Sequence, residues 1–159
     1  MTDGKRQIQL RIWDTPGDEK YQELLPLYIR GAQGVLISFS VTDRHSFEQV
    51  ESFLKLAQKE CKDPYLMIIG TKCDESEKRE VTADEADTFA KSHGCSYIET
   101  SGKAKPNINV WEAFELAGKE TFKKAHPELA KEAESSCSIF WLMKKGEEIC
   151  IMLFYRWFF

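Results

Sequence analysis

Three short stretches carry residue types that could do chemistry. Asp14-Thr15-Pro16-Gly17-Asp18 closes a strand-like run, Gln7 to Trp13, in which Ile8, Leu10 and Ile12 alternate with polar residues. A carboxylate at the C-terminal end of a strand stands where α/β sheets place ligand-facing groups, and Gly17 lets a backbone N–H approach a ligand closely. Thr71-Lys72-Cys73-Asp74 follows a second apolar run, Tyr65 to Gly70, and Ser101-Gly102-Lys103 follows a third, Ser96 to Ile98. Taken singly, each has a plain structural explanation: D-x-x-G as a strand-ending turn, T-K-C-D as a charged surface turn. Their recurrence at three strand ends favours a ligand-binding edge. Elsewhere the chemistry is thin. His45, His93 and His126 have no ligand-spaced partners, Asp18-Glu19 reads as a solvated pair, and Cys61, Cys73, Cys95 and Cys150 have no nucleophile context.

In this order the three motifs resemble those with which Ras-superfamily small GTPases bind guanine nucleotides, where the usual forms are D-T-A-G-Q-E, N-K-x-D and E-T-S-A-K. Tyr28-Ile29-Arg30-Gly31-Ala32-Gln33-Gly34 and Val41-Thr42-Asp43-Arg44-His45-Ser46-Phe47 look most like the Rab branch. The resemblance covers about Asp3 to Lys124 and implies guanine-nucleotide-dependent switching in signalling or vesicle traffic, with GTP/GDP and Mg2+ as cofactors. It assigns guanine binding to Thr71, Lys72, Asp74, Ser101, Gly102 and Lys103. Asp74 would accept two charge-assisted bonds from the base, Lys72 would lay its stem along the purine, and N–H groups of the Ser101–Lys103 loop would meet the guanine oxygen. Thr71 stands where asparagine is commoner, and Gly102 where alanine is usual. On the phosphate side, Gly17 matches the γ-phosphate N–H donor and Asp14 the residue that reaches magnesium through water. Asp18 occupies the position of the catalytic glutamine, where a shorter, negative side chain makes a defective hydrolytic group.

Those motifs need a sheet to hold them. The expected fold is α/β, a mostly parallel sheet with helices on both faces. Val35 to Ser40 and Tyr65 to Gly70 read as buried strands. Ser46 to Lys59 reads as a helix with Phe47, Val50, Leu54 and Ala57 on one face. Thr82-Ala83-Asp84-Glu85 is a capping box that opens a helix carrying Ala86, Phe89 and Ala90 inward and stopping at Gly94. A last helix from about Asn109 to Lys124 presents Val110, Ala113, Phe114 and Ala117. The expected organisation is a small-GTPase domain over 1–125, a polar linker over 126–136 and an apolar tail over 137–159.

Length and charge bound the rest. A chain of 159 residues fits one domain, and a net charge of −4 with no basic stripe gives no reason to expect nucleic-acid binding. No apolar run approaches the ~18 residues of a membrane span, and Met1 to Arg6 has no signal-peptide core. The irregular cysteines suit a reducing cytoplasm. Cys137-Ser138-Ile139-Phe140 reads as a prenylation box displaced from the terminus, so a peripheral membrane form is expected only for a product ending near Phe140 and lipidated at Cys137.

One structural problem follows from the resemblance. Asp3-Gly4 matches the turn between the family's second and third strands, which places the family's first strand, phosphate loop and switch I upstream of Met1. No G-x-x-x-x-G-K-[ST] occurs in the sequence, and the chain reads as N-terminally truncated. The first strand of this family lies centrally, between those matching Gln7–Trp13 and Val35–Ser40. Its place must close up, be filled by another segment, or leave the fold molten. Ile149 to Tyr155, apolar on both faces, is one minority candidate to fill it, and the two apolar runs of the tail also suit a hairpin. The expected function is a weakly binding, poorly hydrolysing small GTPase. The alternatives are a nucleotide-independent module presenting Asp18 to Arg30 to effector or regulator proteins, and a partial gene product with no fold of its own.

Overall fold

The computed structural model describes residues 9–16, 24–128 and 148–155. In chain order the elements are β1 (Gln9–Pro16), α1 (Leu25–Ile29), β2 (Gly34–Ser40), α2 (Arg44–Glu48), α3 (Val50–Glu60), β3 (Tyr65–Thr71), α4 (Ala83–Ser92), β4 (Ser96–Glu99), α5 (Val110–Ala125) and β5 (Glu148–Tyr155), with a 3-10 turn at Ser76–Lys78. The strands make one sheet in the order β1-β5-β2-β3-β4, and every pairing is parallel. The α/β expectation holds.

The central gap is filled by the last strand. β5 runs beside β1 from Gln9↔Glu148 to Pro16↔Tyr155, and beside β2 from Gly34↔Ile151 to Ile37↔Phe154. Met152 is fully buried with Val35, Ile37, Ile68 and the inward residues of α3 and α4. Ile151, equally buried, faces the opposite side with Leu36, Met67, Ala113 and Ala117. Successive side chains of a strand point to opposite faces, so only a segment apolar at consecutive positions suits a place covered on both sides. Because β5 pairs in parallel on both flanks, it contributes no antiparallel hairpin to this sheet; the other arm of the expected hairpin, 138–143, lies outside the described residues, as do Asp3-Gly4 and Cys137.

The other elements follow their patterns with local adjustments. All seven residues of β2 are buried. The expected helix over 46–59 is two helices meeting at Gln49, yet Phe47, Val50, Leu54 and Ala57 still share one cluster. Its first turn is tied down locally. The Asp43 side chain accepts the Ser46 N–H, while the Ser46 hydroxyl donates to the Asp43 carbonyl and accepts the Ser40 N–H. Thr82 caps α4 by accepting the Glu85 N–H, and Gly94 ends it at φ +67°. α5 covers the other face and comes close to β1, where a Cβ on Gly118 would meet Leu10 at 3.1 Å. Ile12 departs from expectation. Leu10 packs against the α5-side cluster, but Ile12 is 46% exposed because β1 is an edge strand with little covering it there.

Candidate functional site

The C-terminal ends of parallel strands define one edge of the sheet, and the described motif residues lie along it. β3 ends at Thr71, whose hydroxyl donates to the Phe39 carbonyl at 2.8 Å and so braces β3 against β2. Lys72 then takes a left-handed conformation, φ +61°, and its carbonyl accepts the Glu75 N–H at 3.0 Å. This tight turn keeps Lys72 and Asp74 exposed at the edge.

The loop after β4 is fastened to that turn by backbone and side chain. Thr100 N–H donates to the Gly70 carbonyl at 2.8 Å, and Cys73 N–H to the Thr100 carbonyl at 3.2 Å. The hydroxyl of Ser101, itself 1% exposed, donates to Asp74 Oδ1 and accepts the Ala104 N–H at 3.1 Å. The Ser101 bond holds the Asp74 carboxyl below the ordinary aspartate range, and nearby Lys103 adds to this. Asp74 is therefore a fixed, ionised acceptor at neutral pH. Lys103 Nζ lies 3.2 Å from Glu75 Oε1, which also pairs the two loops. One expected role is altered by this geometry. Ser101 N–H donates to Ile108, leaving the N–H groups of Gly102 and Lys103 as the donors that the loop could offer a base.

A second layer, invisible in the motifs, supports the first. Arg79 makes a forked pair with Glu99, at 2.7 and 2.9 Å, and Tyr97 donates to the same carboxylate at 2.9 Å. Asn109 donates its side-chain amide to the Glu99 carbonyl. Arg79 follows the 73–78 segment while Glu99 ends β4, so the pair closes the Asp74 loop from behind. No local spacing announces it, since its members are twenty residues apart and on different elements. Arg79 and the Tyr97 hydroxyl hold the Glu99 carboxyl below the ordinary range. With the folded pKa depressed, the stabilisation is complete above about pH 4.5, the usual glutamate value, and is lost as pH falls through the lower folded value. Glu99→Gln should cost about 1–3 kcal/mol at pH 7 and much less near pH 3. Equal destabilisation at both pH values in urea unfolding would contradict this assignment.

On the phosphate side, Asp14 is exposed on β1, while Thr15 donates its hydroxyl to the Leu153 carbonyl at 2.6 Å. Three strand spacings separate β1 from β3, about 14 Å at the usual interstrand distance. The inserted β5 sets that separation. Closure of β1 directly onto β2 would shorten it by one spacing. Gly17 and Asp18 lie outside the described residues. Among the described residues, no set of three His, Cys, Asp or Glu side chains gathers into a metal site.

The sequence pattern of the Ras family matches residues 1–123. The chain belongs to the Ras family. Its Rab-like character shows in the relatives. The Ras-related protein Rab-8A of Gallus gallus is 39% identical over 113 residues, covering 70% of this chain and 53% of that protein. The Ras-related protein Rab-13 of Mesocricetus auratus is 36% identical over 124 residues, covering 77% and 60%. The GTP-binding protein ypt2 of Schizosaccharomyces pombe is 39% identical over 123 residues, with the same coverage. The chain thus spans between 53% and 60% of the length of these three relatives. Ras-family proteins in general bind GTP and GDP with Mg2+ and act through effectors and regulators. No helix among the described residues is long and apolar enough to cross a membrane.

Proposed function

We propose that this Rab-like chain is a guanine-recognising switch module of signalling or vesicle traffic in which base contacts are retained and phosphate chemistry is weak. The observation that carries it is the junction of the two base loops, with the exposed Asp74 carboxylate fixed by the buried Ser101 hydroxyl. Asp74 would accept from the guanine ring N–H and exocyclic amine, Lys72 would cover one purine face, and the Gly102 and Lys103 N–H groups would meet the base oxygen. Thr71 contributes by bracing the turn rather than by reaching the base. This pairing of a carboxylate acceptor with N–H donors suits guanine and gives adenine no matching pattern.

Magnesium is a poorer fit. Asp14 by itself is a weak site for a cation that demands a near-octahedral oxygen set, so no step is assigned to the ion. Gly17 would offer its N–H to a phosphate, and Asp18 would be a defective stand-in for the family's catalytic glutamine. Membrane contact is assigned only to a form prenylated at Cys137; otherwise the chain is a cytoplasmic protein.

The test is titration, by calorimetry or NMR, with guanosine, GDP, GTP and ATP. One charged bidentate pair at about 1.5–3 kcal/mol and neutral bonds at about 1 each, less the cost of association, support millimolar to high-micromolar affinity. Affinity for the three guanine ligands should be similar, absent for ATP, and lost in Asp74→Ala. Because Asp74 stays ionised well into acid, binding should be flat from pH 8 to about pH 5. Equal binding of ATP, or indifference to Asp74→Ala, would overturn the proposal. A second function is favoured by Leu24, Leu27 and Tyr28, which are 41%, 67% and 53% exposed. They suit the region 18–30 to nucleotide-independent contact with effector or regulator proteins, which a pull-down unaffected by Asp74→Ala would identify.

A further inference from the structure

The way β5 enters the sheet carries a consequence for self-association. All of its strand partners are remote in sequence: the Thr15–Leu153 bond spans 138 positions and the Gln33–Cys150 bond 117. The slot grips its strand mainly by main chain. Gln33 brackets Cys150, its backbone N–H donating to the Cys150 carbonyl at 3.0 Å and its side-chain oxygen accepting the Cys150 N–H at 3.2 Å. β1 adds a ladder along the whole of β5, and Thr15 donates to the Leu153 carbonyl. Among the described side chains, Ile151 and Met152 take two adjacent fully buried seats on opposite faces, and Leu153 packs at the border of the α5-side cluster. Nothing in this recognition depends on which molecule supplies the strand.

We propose that β5 is an exchangeable strand, and that the slot between β1 and β2 also accepts residues 148–155 of a second copy of this chain, giving a strand-exchanged dimer. A second copy fits by construction, since it offers the same backbone register and the same two apolar residues. Reach permits it. Residues 126–147 join the end of α5 to β5, and a segment of that length can span up to ~70 Å when extended. A domain of this size is roughly 40 Å across by the usual compactness scaling. Closed monomer and exchanged dimer contain the same strand contacts, so the balance rests on loop entropy and concentration. A strand supplied by its own chain has an effective concentration of order millimolar, which keeps dilute chains closed and lets concentrated chains exchange when refolded together.

The experiment uses the register. Arg11 lies directly opposite Cys150 in the β1–β5 pair, so Arg11→Cys can form a disulfide across the slot. The full-length variant is unfolded, refolded at dilute and at near-millimolar concentration, oxidised, and run on non-reducing gels. Exchange predicts a closed monomer from dilute refolding and a covalent dimer from concentrated refolding, the dimer vanishing when Cys150→Ser is added. A second pair, Gln9→Cys with Glu148→Cys in a Cys150→Ser background, reports the same slot if Arg11→Cys does not fold. The unmodified chain is followed in parallel by light scattering. Only monomer at every concentration in that chain, or only intramolecular cross-links in a folded variant, would overturn the proposal.

Discussion

Ile151→Asp should abolish the cooperative unfolding transition. Ile151 is fully buried between β1 and β2 and faces the α5-side cluster of Leu36, Met67, Ala113 and Ala117. An unpaired carboxylate in such a place costs several kcal/mol after relaxation, and the lost isoleucine burial adds about 2–4 more. Domains of this kind have about 5–15 kcal/mol in total. Met152→Asp should do the same from the other face, where Met152 meets the α3 and α4 side. Removing residues 148–159 should be as severe, because β1 and β2 would both face a gap with unpaired backbone groups at about 1–3 kcal/mol each. The control is Leu116→Asp on α5, 37% exposed, which should shift the transition by only a few degrees. Circular dichroism melts and amide dispersion in NMR decide the matter. A sharp melt in Ile151→Asp within a few degrees of the parent would show that β5 does not hold the sheet together.

The second large effect concerns phosphates. GTP turnover by the purified 159-residue chain should equal that of buffer, with or without an activating partner. GDP should bind no more tightly than guanosine, and chelation of magnesium should change neither. Phosphoryl transfer depends on charge stabilisers arranged around the γ-phosphate, and these residues contain no phosphate-loop pattern to supply them. About five charge-assisted bonds at about 1.5 kcal/mol each amount to roughly 7 kcal/mol, or about five decades of affinity. Asp18→Gln in this 159-residue chain should not raise the rate, because one side chain does not supply the charge stabilisers of a phosphate-loop pattern. Single-turnover hydrolysis above background, or tight magnesium-dependent GDP binding, would refute this and assign the phosphate contacts to other residues.

The elements and the edge that carries the motifs were legible because their signals are local. A run such as Val35 to Ser40 reads as a buried strand wherever it sits, Thr82 caps α4 through a residue three positions away, and Gly94 stops it. The split of the 46–59 helix was not legible, because Ser46 is tied to Ser40 of β2 and to Asp43 by hydrogen bonds that alignment of apolar positions does not reveal. The Arg79–Glu99–Tyr97 support was missed for a similar reason: it exists only once the end of β4 lies beside the segment after β3.

The sequence by itself determined the family motifs, the parallel α/β class and the apolar character of residues 149–155, since each is written in neighbouring residues and their period. Which strand fills the centre was left to the tertiary structure. Apolarity on both faces says that a strand must be covered twice, but not by which neighbours. That choice depends on partners more than a hundred residues away, on Gln33 and Thr15 meeting the β5 backbone, and on two helical layers closing over Ile151 and Met152. Backbone pairing is nearly blind to side-chain identity, so the register emerges only when both faces are packed at once.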